Sequence, residues 1–172
     1  MDSGWVALLR GINVGGRSVV PMAGLRKLFE DAGFESVRSY INSGNVLFEG
    51  AKPDRVALEQ AVQETFGVPS VVVLRTFAEL RKTASSPPFG DDVSHTFVGF
   101  LADKPAKDAS RKLAELDTGN DEYLLKGREL FLRYRSGVRD ATLAGPRLER
   151  AVGPVTVRNW NTVTKLAELT RS

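Results

Sequence analysis

The segment VALLRGINVGG, Val6–Gly16, runs four apolar residues into an arginine and then into a turn carrying three glycines and an asparagine. Trp5 to Leu9 reads as a strand that is apolar on both faces, with Val6 and Leu8 on one side and Trp5, Ala7 and Leu9 on the other. A sheet covered by helices on one side only would leave one of those faces in water. That exposure forfeits about 1.5–3 kcal/mol for each large side chain. The strand therefore needs cover on both sides, and the rest of the chain is expected to supply it.

Working outward, Pro21 sits where a helix begins, and Met22, Leu25, Leu28, Phe29 and Ala32 recur at helical spacing, with Gly33 and Phe34 as the stop. Val37 to Ile41 reads as a strand, Asn42 to Asn45 (NSGN) as a turn, and Val46 to Phe48 as a third strand. Asp54 is placed to cap a helix through Leu58, Ala61, Val62 and Phe66 that ends at Gly67, and Ser70 to Leu74 is a β-branched strand. The order β-α-β-β-α-β is that of a ferredoxin-like unit. Thr76 and Glu79 have capping-box spacing and open a further short helix.

Ser85 to Asp92, SSPPFGDD, reads as a linker, after which the same order recurs. Thr96 to Leu101 is a strand, Pro105 to Leu116 a helix, and Glu122 to Lys126 with Glu129 to Tyr134 a hairpin about Gly127. Pro146 to Val152 is a helix stopped by Gly153, Val155 to Val157 a strand, and about Asn161 to Leu169 a last helix. The expected fold is α+β: two ferredoxin-like halves, 1–84 and 93–172 with the linker 85–92 between them, fused into one compact domain with a C-terminal helix.

Composition narrows the class. The 172 residues are 42% hydrophobic and 26% charged, within the range of one soluble globular domain. No long apolar run and no basic-then-apolar leader is visible. The chain has no cysteine, which excludes disulfides and thiol catalysis and fits a reducing compartment, so a cytoplasmic location is expected. The net charge of +3 is spread along the chain rather than blocked, so nucleic-acid binding has weak support and solvated faces are the simpler reading.

Three stretches can carry chemistry. The turn after the first strand resembles a phosphate cradle, but Gly16 is followed by Arg17 and Ser18 rather than Lys-Ser/Thr. Gly11, Gly15 and Gly16 also miss the dinucleotide spacing. The glycines equally suit positive φ, with Asn13 bonding local backbone. NSGN has the residues of a tight turn, and Ser43 has no local base to make it a nucleophile. In VRNWNTVTK, Val157 to Lys165, Asn159 and Asn161 are both good caps. Arg158 and Lys165 bracket a helix start that disfavours cations, a conflict that a bound anion or a carboxylate relieves. His95, the one histidine, stands near Asp91 and Asp92 in a loop, a poor metal set. No cofactor and no metal is expected.

LLRGINVGG with PMAGLRKLFEDAGF, VRSYINSGNVLF, HTFVGFL and TVRNWNTVTKLAEL together resemble domain of unknown function family 1697, a bacterial group, in order over nearly the whole chain. The resemblance implies an α+β fold with ferredoxin-like subdomains and brings no activity, cofactor or substrate with it. It assigns Arg10, Gly11, Asn13, Gly15 and Gly16 to a first signature, Tyr40, Ser43, Gly44 and Asn45 to a second, and Arg158, Asn159, Trp160, Asn161 and Thr162 to a third. The chain departs from the family at Ser18, Val19 and Val20 and at Asn42. It departs again where family members carry Ser-Lys-Leu: Ala141 and Thr142 replace the serine and the lysine before Leu143.

Three functions stay open. The first is a binding protein for a small anionic or phosphate-containing ligand, or nucleic-acid backbone. Its polar site would combine Arg10, Asn13, Gly15, Gly16, Tyr40, Ser43, Asn45, Arg158, Asn159, Asn161 and Thr162. The second is a cofactor-independent enzyme on a nucleotide-like or phosphorylated small molecule, with Ser43 or Tyr40 handling the proton. The third is purely structural, and it expects the Asn159 and Asn161 side chains to be buried and satisfied by backbone.

Overall fold

The computed structural model describes residues 3–135, 137–138 and 141–172. The chain divides into two compact units, one running up to Lys82 and including Leu166–Ser172, the other Thr83–Lys165. In the first unit, strand β1 (Gly4–Arg10) is followed by helix α1 (Met22–Asp31), β2 (Glu35–Tyr40), β3 (Asn45–Glu49), α2 (Arg55–Phe66), β4 (Val71–Thr76) and the short α3 (Phe77–Ala84), which crosses the boundary. The sheet order is β2-β3-β1-β4, antiparallel throughout. This is the α+β, ferredoxin-like arrangement, with β3 inserted between β1 and β2.

Local chemistry sets these elements. The Asp54 carboxylate accepts the Ala57 amide at 3.2 Å, and Gly67 ends α2 at φ 68. The capping box forms in both directions: Glu79 N donates to Thr76 Oγ1 at 3.1 Å, and Thr76 N to Glu79 Oε2 at 2.8 Å. Ala7, Leu9, Val46, Phe48 and Val72 pack against Leu25, Leu28 and Phe29 of α1 and Leu58 and Val62 of α2. Phe29, Phe34 and Phe48 meet there with centroids 4.6–6.2 Å apart. The other face of β1 is buried too, since Val6, Leu8 and their sheet neighbours Leu47 and Val73 are inaccessible to solvent.

Two expectations shift here. The second strand begins at Glu35 and stops at Tyr40, with a register break between Glu35 and Arg38. Ile41 leaves it, adopting φ 51 in the turn. The residues after Lys165 cluster with the first unit rather than with the second half. Hydrogen bonds tie them there: Arg38 donates to Leu169 O at 3.1 Å and Ser172 Oγ at 3.0 Å, and Arg81 to Thr170 Oγ1 at 3.1 Å.

The second unit repeats the order: β5 (Thr96–Leu101), α4 (Ala109–Ala114), β6 (Glu122–Lys126), β7 (Glu129–Arg133), α5 (Gly145–Val152), β8 (Val155–Asn159) and α6 (Trp160–Leu169), in which the residues from Leu166 on count with the first unit. Its sheet runs β6-β7-β5-β8. Helix α4 is shorter than the expected Pro105 to Leu116. Asp108 at its start makes no cap bond, and its carboxylate pairs instead with Arg111 and Lys112 at 3.5 and 3.4 Å. Leu101, Leu113, Leu130, Leu132, Leu148 and Val152 form the core around Tyr134, whose hydroxyl donates to Leu143 O at 2.6 Å.

Burial holds the Tyr134 phenol well above its ordinary value near 10, with Asp121 adding to the effect. The folded chain keeps a proton that the unfolded chain releases above that pH. Stability is therefore complete below about pH 10 and falls above it, by as much as about 1.4 kcal/mol per unit. Tyr134→Phe, which strands the Leu143 carbonyl, is expected to lose about 1–2 kcal/mol near neutral pH. In denaturant titrations the gap between the two proteins narrows as the pH rises past about 10. Burial of Arg158 acts in the opposite sense over this range but is common to both proteins, so the difference isolates the phenol.

Candidate functional site

In the first unit the signature glycines build a turn. Asn13 N donates to Ser18 O at 2.9 Å and Arg17 N to Val14 O at 2.9 Å, so Asn13–Ser18 folds back on itself as a small hairpin. Gly15 and Gly16 occupy its tip at φ 57 and φ 73, the pair of positive values a type I′ turn requires. The Asn13 side chain closes the base. Its amide donates to Val20 O at 2.9 Å and to Asn42 O at 2.8 Å, and its oxygen accepts Val20 N at 2.7 Å. One side chain thus staples the loop to itself and to the tip of the β2–β3 hairpin.

That tip is equally built. Gly44, at φ 88, offers its carbonyl to Leu9 N at 2.9 Å, and Ile12 and Leu9 occupy the space that a Cβ there would need. Asn45 is fully buried and its amide donates to Tyr40 O at 3.0 Å and Ser43 Oγ at 2.9 Å. An amide in that position cannot take the Ser43 proton, so this contact does not activate a nucleophile. Arg10 closes β1, half-buried, with its carbonyl accepting Ser70 Oγ at 2.7 Å.

Around this frame the surface is unusual. Val14, Val19 and Ile41 are 65%, 64% and 51% exposed, beside exposed Arg17. Asn13, Ser18 and Ile41 all lie in the left-handed region, at φ 53, 52 and 51. For a β-branched residue such as Ile41 that conformation is an outlier. Strain of this kind costs about 1–3 kcal/mol per residue and persists only where surrounding bonds impose it. Arg17 and these apolar neighbours escaped the motif reading; the signal available was an arginine directly after the paired glycines.

The third signature lies in the second unit. Arg158 is buried, pairs across the sheet with Val98, and its guanidinium donates to Thr156 Oγ1 at 2.6 Å and Val157 O at 3.1 Å. Burial pushes it down to about 10, which leaves it charged at neutral pH. Asn159 caps α6, its oxygen accepting Thr162 N at 2.8 Å; Thr162 is buried and Asn161 is exposed. The structural reading expected both asparagines buried and satisfied by backbone; Asn159 is exposed and backbone-bonded, and Asn161 is exposed.

The repeat carries a feature the motifs missed. Arg75 pairs with Val6 in the first sheet as Arg158 pairs with Val98 in the second, and it too is buried, donating to Leu74 O at 2.8 Å. Thr76 and Phe77 follow it as Asn159 and Trp160 follow Arg158. Each half thus ends in a buried arginine, a helix cap and a buried aromatic.

Elsewhere, an open polar depression of about 270 Å³ in the second unit is lined by Asp117, Asn120, Asp121 and Thr142 among others. Its carboxylates already have backbone partners, Asp117 accepting Gly119 N in a local turn and Asp121 accepting the more distant Arg135 N. Among the described residues no three His, Asp or Glu side chains converge as metal ligands, and no helix is long and apolar enough to cross a membrane. His95, Asp91 and Asp92 are exposed.

Comparison with known proteins agrees with this geometry at the level of fold. A conserved bacterial protein from Streptococcus pneumoniae, SP0830, is similar over 99% of both chains, with a TM-score of 0.74 at 22% identity. No curated protein matches the chain. The model of a family described as protein of unknown function, DUF1697, matches residues 3–131. With most of its length matched in this way, the chain belongs to the DUF1697 family.

Proposed function

We propose that this is a binding protein, acting in the cytoplasm, that takes a phosphate-bearing ligand on the surface made by the Gly11–Val20 loop and the Ile41–Gly44 tip. The observation that carries the reading is the meeting of two exposed non-glycine residues at positive φ, Ser18 and Ile41, beside the half-buried Asn13 whose side chain joins their segments. A chain that needed only to connect β1 to α1 has no use for that strain. Arg17 and Arg10 supply positive charge, the Gly15–Gly16 turn lets a ligand approach the backbone, and Val14, Val19 and Ile41 offer apolar contact to the rest of it. Cysteine-free composition supports the reducing compartment.

The test is a thermal-shift screen with nucleotides, phosphosugars and short RNA or DNA, followed by calorimetric titration of any hit. Arg17→Ala is expected to weaken binding on the order of tenfold, the value of one charge-assisted contact, with an unchanged melting temperature. For a nucleic-acid ligand the affinity also falls with salt. A hit whose affinity Arg17→Ala leaves intact places the ligand elsewhere.

The saturation of Asn13 and Asn45 by backbone and hydroxyl partners favours a second reading, in which the signatures serve folding alone. Under that reading no ligand class raises the melting temperature.

A further inference from the structure

We infer that the protein self-associates through β6, an edge strand of the second sheet, which pairs antiparallel with β6 of a second copy about Leu124. Strand β6 has β7 as its one strand partner among the described residues, and its five-pair register runs without a bulge. The first sheet's edge strand β2 is guarded instead, by the register break between Glu35 and Arg38 and by the Arg38 bonds to Leu169 and Ser172. A regular, bulge-free edge presents a row of unpaired backbone groups that another strand can complete.

The sequence of β6, Glu122-Tyr-Leu-Leu-Lys126, is complementary to itself when reversed. Pairing about Leu124 sets Glu122 opposite Lys126 of the second copy, twice by symmetry, and Tyr123 opposite Leu125. Leu124, 45% exposed, meets its own counterpart on the two-fold axis. The register within each copy extends the pattern, because Glu122 faces Arg133 and Lys126 faces Glu129. Across the joined sheet each outer row then reads Arg133, Glu122, Lys126, Glu129, with charge alternating at every strand.

Backbone geometry permits this register. A two-residue loop, Gly127 and Arg128, joins Lys126 to Glu129, so that closing pair is hydrogen-bonded and the alternation leaves Tyr123 and Leu125 with N–H and C=O groups directed away from β7. Tyr123 and Leu125 are the residues that face each other across the joint, so four backbone hydrogen bonds form. Their half-buried side chains, already packed against the helix-side core, gain a second neighbour there.

Sedimentation velocity over a concentration series tests this with the full chain. Wild type is expected to dimerise. Glu122→Lys and Lys126→Glu each place like charges opposite one another at both ends of the joint and weaken the dimer on the order of tenfold or more. Mixed in equal amounts, the two variants restore it, because every Lys of one then faces a Glu of the other. Leu124→Lys, at an exposed position, carries the same loss with an unchanged circular-dichroism melt. The inference is overturned by a wild type that stays monomeric at hundreds of micromolar, by variants that dimerise as wild type does, or by a mixture that fails to recover.

Discussion

Asn13→Ala lowers stability by about 2–4 kcal/mol, read from urea unfolding with the slope unchanged. The substitution removes both donors that hold Val20 O and Asn42 O and the acceptor that satisfies Val20 N. Val20 is buried, so its amide is left without that partner, and an unsatisfied buried group alone costs about 1–3 kcal/mol. Alanine also tolerates φ 53 less well than asparagine does. Asn13→Gly separates the two causes. Glycine removes the conformational penalty and keeps the hydrogen-bond loss, so it is expected to recover only about 1 kcal/mol. Full recovery with glycine would assign the effect to backbone strain and leave the staple without energetic weight.

Gly44→Ala is expected to cost about 2–5 kcal/mol, whereas Gly15→Ala, in the first signature, costs about 1–2 kcal/mol. Both glycines have positive φ, at 88 and 57, so both pay the left-handed penalty when a Cβ is added. Only Gly44 meets an obstruction as well. A Cβ there would sit 2.8 Å from Ile12 Cδ1 and 3.0 Å from Leu9 Cβ, and at Gly15 nothing lies within 4 Å. Relieving the clash pushes Ile12 and Leu9 out of a filled core or moves Gly44 off its bond from Leu9 N. Equal melting temperatures for the two variants would show that the tip yields and that the close approach carries no energy.

These results bear on how the first two signatures divide. Gly44, Asn45 and Asn13 hold the frame, and their replacement is read in stability. Arg17, Val14, Val19 and Ile41 stand on its surface, and under the proposed function replacement of Arg17 is read in binding alone. Ser43 and Tyr40, the residues an enzymatic reading would use, are engaged by the Asn45 amide through hydroxyl and carbonyl respectively. The exposed Asn161 is the one member of the third signature whose side chain is not taken up in a buried contact or a cap.

Much of the architecture was legible in the residues themselves. Asp54 and Gly67 bracket a helix, Thr76 and Glu79 open another, and Gly127 turns a hairpin; each signal acts through partners a few residues away, so no tertiary context was needed to read it. The two apolar faces of β1 likewise required burial on both sides, and both are buried. Where local signals were weak the elements shifted. Helix α4 spans only Ala109–Ala114 and its Asp108 start makes no side-chain cap bond, and Ile41 left β2 for a strained turn.

Tertiary structure alone decided what the polar signature residues do. Nothing near Asn13 in sequence announces Asn42, 29 positions on, as its partner, and Gly44 looks like any turn glycine until Ile12 and Leu9 are brought against it. The cation beside the last helix start suggested a bound anion, yet Arg158 lies buried and bonded to Thr156 and Val157, with Arg75 as its unforeseen counterpart. The physical reason is common to all three. Helix caps, turn glycines and apolar periodicity are energies of neighbouring residues and can be read along the chain. Desolvation and long-range hydrogen bonding depend on which segments the fold brings together, and that information exists only once the sheets have formed.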